Sequence, residues 1–482
     1  MKPMTSKWAF SLLGLLGLSG CMVGPDYHRP QLAMPASYQA AAGWVRAAPA
    51  DGAPKGNWWQ AFGDPQLNRL EPQVAVRNAT LLADYDAYRQ SLEIVQEARG
   101  GLFPSLGLTG SATRAKQSTS GLGAGPRTSG TFEGSAAWTP DIWGKIRRQV
   151  QGDVAAAQIS AADLANATLS AQAALAADYV DLRAADAATA LYQATVAADT
   201  RSLQIAQNQA AAGVAPPSDV ITARAQLDAA QAQLINAGVT RAQYEHAIAV
   251  LAGQTPESFS LPPAAQITMV PVAPPGVPST LLQRRPDIAA AERAMAEANA
   301  KIGIAEGAYY PDLSLSALGG YAADPIGGLF SVSNSLWSLG ANLSATLFAG
   351  GTRSASVRAA EFAYDQSVQT YRQTVLSALQ AVENDLSGLR ILAAQAQVEA
   401  RAVADAQSAL RIALNQYQAG TVNYTTVVSA QLILLGDQQA ELAVQQNRLL
   451  ASVALFQDLG GGFQASVLPG AGAIQARLPF AP

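Results

Sequence analysis

Two histidines and one cysteine are the whole stock of imidazole and thiol chemistry in this chain of 482 residues. His28 lies near the N-terminus and His246 in a helix-like stretch, too few and too far apart for a metal site or a catalytic triad. A lone cysteine, Cys21, excludes an internal disulfide and any cysteine-held zinc or iron–sulfur cluster. The glycine-rich GLGAGP at 121–126 lacks the Lys-Ser/Thr of a phosphate-binding loop, and it joins two strand-like segments rather than a strand and a helix. RRPDI at 284–288 puts Pro286 at a helix start and Asp287 in its first turn, which explains the motif structurally. No nucleophile has a base in usable context, so the expectation is a protein that is not an enzyme, without cofactor or metal. A formal charge of −4 argues against nucleic acid, which needs concentrated Lys and Arg.

The residue with a chemistry of its own is Cys21. Lys2 and Lys7 precede an apolar run from Trp8 to Leu18, about 11 residues and too short to span a bilayer. Small Ser19 and Gly20 follow. The sequence LSGC resembles the lipobox of bacterial lipoproteins, which implies cleavage before Cys21, a diacylglycerol on its sulfur and an acyl chain on its new amino group. The alternative is an ordinary small-residue cleavage site beside an incidental cysteine. Met22 rather than Asp follows, so by resemblance no inner-membrane retention signal is present. Residues 1–20 are thus read as a signal peptide and 21–65 as a lipid-anchored extended segment.

The elements behind this anchor come in two copies at an offset of about 207 residues. GLFPSLGLTG from Gly101 lines up with AYYPDLSLSA from Ala308, DIWGKIR from Asp141 with LFAGGTR from Leu347, and NQAAAG from Asn208 with NQYQAG from Asn415. Each copy reads as a helix (81–99; 286–306), two strand-like segments, a very long helix (145–211; 353–419), a glycine and a returning helix. The long stretches have no proline, and at 1.5 Å per residue each approaches about 100 Å. Val368, Tyr371, Val375, Leu379, Val382, Leu386 and Leu389 recur every three or four residues, the pattern of a packed helical seam. The boundaries follow: first repeat 66–255, Pro-rich linker 256–280, second repeat 281–463, tail 464–482.

The strand-like segments alternate with period two. Leu339, Ala341, Leu343, Ala345 and Leu347 share one face; Leu313, Leu315 and Ala317 another; Leu106 and Leu108, and Phe132, Ala136 and Trp138, do the same in the first copy. Between them lie Ser, Thr, Asn and Gly. Segments of this kind suit transmembrane strands with a wet side, or equally four half-buried strands of a soluble sheet. An open edge does not survive in lipid and a spanning barrel needs about eight strands, so four per chain demand oligomerisation if they span. Sequence alone leaves the number of copies open.

Beyond these patterns, CMVGPDYHRP (21–30), WWQAFGDPQLNRL (58–70), RRPDIAAAE (284–292), GAYYPDLSL (307–315) and NQYQAGTVNYTTVVSAQ (415–431) resemble the outer-membrane efflux protein family. The match is to the TolC-like outer-membrane factors, in their NodT-type lipoprotein branch. The resemblance implies a mixed α/β membrane protein: a homotrimer whose transmembrane β-barrel, four strands from each chain, continues into a long coiled-coil α-helical barrel. It also implies partners, a periplasmic adaptor protein and an inner-membrane pump of the resistance-nodulation-division type, and a place in the outer membrane with a large periplasmic portion. The resemblance further puts a periplasmic gate near the turns at 211–223 and 418–430. Asp219, Asn423, Tyr424, Thr426 and Ser429 are its candidate residues. Asp219 also suits a plain capping role at a helix start, and Tyr424 suits interhelical packing. Thr426 and Ser429 fall where relatives often carry an aspartate ring, and being uncharged they put a charged constriction there in doubt. Two readings stay open beside the exit duct for small molecules: a lipid-anchored periplasmic coiled-coil scaffold without a pore, and the duct of an ATP-driven protein secretion system.

Overall fold

The computed structural model describes residues 22–30, 56–116, 125–265 and 284–475, with isolated positions at 35, 267 and 269–271. Cys21 and most of the GLGAGP loop lie outside the described residues.

Two long helices dominate. α3 (Lys145–Ala211) and α6 (Thr352–Gln418) have 67 residues each, and both enter from a glycine with positive φ, Gly144 and Gly351. Ala, Gln and Leu at high density and the absence of proline let each run unbroken for about 100 Å. α3 occupies the expected span; α6 starts and ends one residue earlier than expected. The returning helices α4 (Pro217–Leu251) and α7 (Tyr424–Asp458) both have 35 residues. α2 (Ala79–Gly100) and α5 (Pro286–Gly307) both have 22. The two halves therefore carry the same elements in the same order at matched lengths. α3 packs on α2, α4, α5 and α7, while α6 packs on α5 and α7. A short α8 (Ala471–Gln475) closes the described chain.

α1 (Pro65–Arg77) was not expected; Pro72 sits inside it and removes a helix hydrogen bond. Two features outweigh that loss. The Asp64 carboxylate caps the helix, accepting from the Gln66 and Leu67 amides at 2.7 and 3.0 Å. Leu67, Leu70 and Val74 are buried in a cluster with Trp58, Phe62 and the middle of α3, including Leu175, Tyr179 and Leu182. Trp58 stacks on Phe456 of α7 with centroids 5.6 Å apart.

The heptad-like seam read from the sequence is the core of the second half. Tyr371, Val375, Val382, Leu386 and Leu389 are buried, with Val368 and Leu379 packed against them, around Ile288 and Met295 of α5.

The four strands β1 (Ser105–Ala115), β2 (Arg127–Trp138), β3 (Asp312–Ala323) and β4 (Ser335–Ser344) form one antiparallel sheet in the order β1-β2-β3-β4. Its register pairs Leu106 with Ala136, Ala136 with Ala317, and Ala317 with Leu339. Directly opposed residues share a side, so the apolar sets of all four strands fall on a single face. That face is uncovered: Leu106 is 83% exposed, Trp337 78% and Leu339 76%. Mostly serines, threonines and glycines occupy the other, with Asn342 and Glu133 among them. β4 stops at Ser344, short of the alternation that runs to Leu347 in the sequence. Ser344 pairs with Asp312, the first residue of β3, so Ala345 to Leu347 have no partner to continue the ladder.

Candidate functional site

The turns that end the two hairpins are built alike. Gly213 and Gly420 take φ of +75° and +73°, a left-handed conformation that lets each long helix reverse into its partner. Around them Ala206, Ala223, Ala413, Tyr417, Tyr424 and Val427 make a separate apolar cluster. The hairpins are joined there by polar links. The Tyr417 hydroxyl on α6 donates to Asp219 Oδ2 on α4 at 3.1 Å, and Gln209 Nε2 on α3 donates to the Tyr417 carbonyl at 3.1 Å. Burial first, and then the Asp219 carboxylate, push the Tyr417 phenol up to about 12.

Asp219 lies in the first turn of α4, the helix start where it was expected, and its carboxylate accepts from a tyrosine of the other hairpin; no side-chain hydrogen bond caps α4. Tyr424 is buried against Tyr417, ring centroids 5.2 Å apart, which is the interhelical packing role. Asn423 is the N-cap of α7: its Oδ1 accepts from the Thr426 amide at 3.2 Å and the Thr426 hydroxyl at 3.1 Å. Ser429 is exposed about one turn further along. Of the five sequence candidates, Asp219 and Tyr424 meet through Tyr417, Asn423 and Thr426 meet in the cap, and Ser429 stands apart.

Three participants went unread in the sequence. Gln431 on α7 donates through Nε2 to Asp199 Oδ1 and to Ser202 Oγ on α3, each at 3.0 Å. Asp199 Oδ2 is buried with no partner among the described residues, and burial pushes its carboxyl up to about 6. A polar residue every few positions in an Ala/Gln-rich helix carries no signal that one of them is buried.

At the other end, residues 22–30 are strapped across the roots of the helices. Arg148 of α3, itself buried, donates from Nε to the Val23 carbonyl at 2.9 Å and from Nη2 to the Gly24 carbonyl at 2.7 Å. It also pairs with Asp26 at 3.2 Å. Asn299 donates to the Pro25 carbonyl, Tyr27 to Glu292 and Arg29 to the Tyr371 hydroxyl, at 2.8, 2.6 and 3.2 Å. Gly24 has φ +95° and lies on the Gly303 backbone, where a Cβ would come within 2.4 Å. The strap therefore ties α3, α5 and α6 together beneath the sheet.

Aromatics mark both rims of the sheet. Trp143 stacks on Tyr310 at 4.7 Å and donates to the Pro311 carbonyl at the base. Phe330 meets Phe132 and Tyr321 edge-on at 5.6 Å each at the opposite end. An uncovered apolar band between aromatic girdles is the surface pattern of a strand region in lipid. No described helix is long and apolar enough to cross a membrane. Among the described residues no group of three His, Cys, Asp or Glu side chains is placed to hold a metal ion.

These features have close counterparts. The chain is 31% identical over 473 residues to the solvent efflux pump outer membrane protein SrpC of Pseudomonas putida, covering 94% of this chain and 98% of that one. It is 29% identical over 456 residues to the probable efflux pump outer membrane protein TtgC of the same species, covering 92% and 93%. The solved structure of the outer-membrane channel OprN superimposes with a TM-score of 0.83 at 29% identity, covering 92% of this chain and 99% of that one. The family model described as outer membrane efflux protein matches twice, over residues 71–254 and 277–461. With both halves of the chain matched, this protein belongs to the outer membrane efflux protein family.

Proposed function

We propose that the chain is the outer-membrane exit duct of a tripartite efflux pump, passing small molecules from the periplasm to the exterior. The observation that carries this is the sheet: four strands with one uncovered apolar face and two unpaired edges, standing on the roots of two 67-residue helices. Unpaired strand edges are excluded from lipid, so the sheet is completed by further copies. Three copies give twelve strands and, below them, twelve helical strokes. The exposed Phe362, Leu376, Ile391, Val398 and Ile412 follow one face of α6 and supply an apolar surface for a neighbouring copy. Each chain is, on this reading, a duplicated unit, which the matched element lengths and the twofold family match support.

The duct is passive. The sequence carries no nucleotide-binding motif and the outer membrane holds no proton gradient, so the driving force comes from an inner-membrane pump of the resistance-nodulation-division type, reached through a periplasmic adaptor. The names of the relatives, which speak of solvent and other efflux pumps, support the substrate class. Cys21, carrying an S-diacylglycerol and an N-acyl group, anchors the N-terminus in the outer membrane. Ion conductance of the purified protein in planar bilayers tests the duct: channels are expected, with the strands protected from protease in intact membranes. Absence of channels together with protease-accessible strands would establish a pore-less scaffold instead. Co-purification with an ATP-driven exporter would point to protein secretion. Acyl labelling lost in Cys21→Ser is the expected result for the anchor, and unchanged labelling refutes it.

A further inference from the structure

The polar face of the sheet is nearly free of charge. β4 and the interiors of β1 and β3 contribute none to it, and Arg127 and Asp312, the first residues of β2 and β3, sit at opposite rims. Glu133 is the exception. It stands seven residues into β2 with Thr109 directly opposite on one side and Gly320 on the other. Its diagonal neighbours on that face are Gly107, Ser111, Leu318 and Ala322, so nothing cationic lies beside it. The pairing with Gly320 is also steric. A Cβ at residue 320 would fall 2.2 Å from the Phe132 carbonyl oxygen and 3.1 Å from Glu133 Cγ, so glycine leaves the carboxylate its room.

We propose that Glu133 sets the charge preference of the duct, favouring cations over anions at mid-sheet. This rests on the duct reading above, in which the polar face lines water and each further copy adds one carboxylate at the same level. Ser, Thr and Gly around the ring offer no countercharge, so its field is limited only by dissolved salt. That field reaches about 30 Å at 0.01 M ionic strength and about 3 Å at 1 M. The preference is therefore strong in dilute salt and fades in concentrated salt.

The test is the reversal potential of purified full-length protein in planar bilayers under a KCl gradient, at low and at high mean salt. Wild type is expected to prefer K⁺ in dilute salt and to lose most of that preference at high salt. Glu133→Gln should shift the dilute-salt reversal potential toward zero. Ser135→Lys, two residues along the same face, should weaken the K⁺ preference with Glu133 intact. A Glu133→Gln channel with the wild-type reversal potential overturns the proposal. If Glu133→Gln does not assemble, an undiminished K⁺ preference in Ser135→Lys overturns it equally. Failure of wild type to form any channel is a different result, and removes the duct reading along with the inference.

Discussion

The Tyr417 hydroxyl donates to the Asp219 carboxylate across 3.1 Å, joining the end of α6 to the start of α4. The two residues are 198 positions apart, and the bond ties one hairpin tip to the other. Tyr417→Phe keeps the ring in its cluster with Tyr424 and removes only this link, at a cost of about 1 kcal/mol. Amide hydrogen exchange over residues 413–427 should speed up several-fold while exchange at mid-helix stays unchanged; identical exchange at the tip would show that the bond contributes nothing.

Asp199 makes the same region pH-dependent. Its folded pKa, about 6, lies above the ordinary carboxylate value because the side chain is buried between Gln431, Ser202 and Tyr424. As pH rises, the unfolded chain therefore releases this proton first. Stability from this group is full below the ordinary value and is lost progressively up to about pH 6, after which the loss stays constant. The tip should be better protected from hydrogen exchange at pH 4 than at pH 7. Asp199→Asn, which keeps the acceptor for Gln431, should flatten that dependence and raise protection at neutral pH.

Adjacent glycines in β3 give a controlled comparison. A Cβ at Gly320 collides with the backbone of β2, whereas one at Gly319 meets nothing within 4 Å. Gly320→Ala should separate β2 from β3 and cost about 1–3 kcal/mol. Gly319→Ala should behave as wild type. Heat-resistant oligomer on a gel reads the difference, and equal behaviour of the two variants would contradict the pairing.

Arg148 holds the strap. Arg148→Met removes its donors to the Val23 and Gly24 carbonyls and its pairing with Asp26, with charge-assisted bonds worth about 1.5–3 kcal/mol each. Limited proteolysis should then cut within residues 22–30, which are expected to resist cleavage in the wild type, while the long helices stay intact.

Local features of the fold were legible because they depend on local rules. The span of α3 follows from a proline-free, Ala-rich run closed by Gly213, and the faces of the strands from simple alternation. The α6 seam was readable because its apolar residues recur at helical spacing. What was missed depends on the partner and not on the residue itself. Nothing around Asp199 distinguishes it from the solvated Asp228 on α4; only docking α7 against α3 buries it. α1 went unread; it forms despite Pro72 because Leu67, Leu70 and Val74 are buried against α3. Asp219 was placed correctly at a helix start, but its partner came from the other half of the chain.

The order β1-β2-β3-β4 settles a matter of parity. With four strands alternating in direction, β1 and β4 at the two edges run opposite ways. When β4 of one copy meets β1 of the next, the new pair is antiparallel like every pair inside the sheet. A ring of any number of copies therefore closes without a parallel seam, whereas an odd number of strands per chain would force one at every junction between copies. The direction of the edges constrains how many strands a chain may contribute; it leaves the number of chains to the curvature of the sheet and the fit of the helices below it.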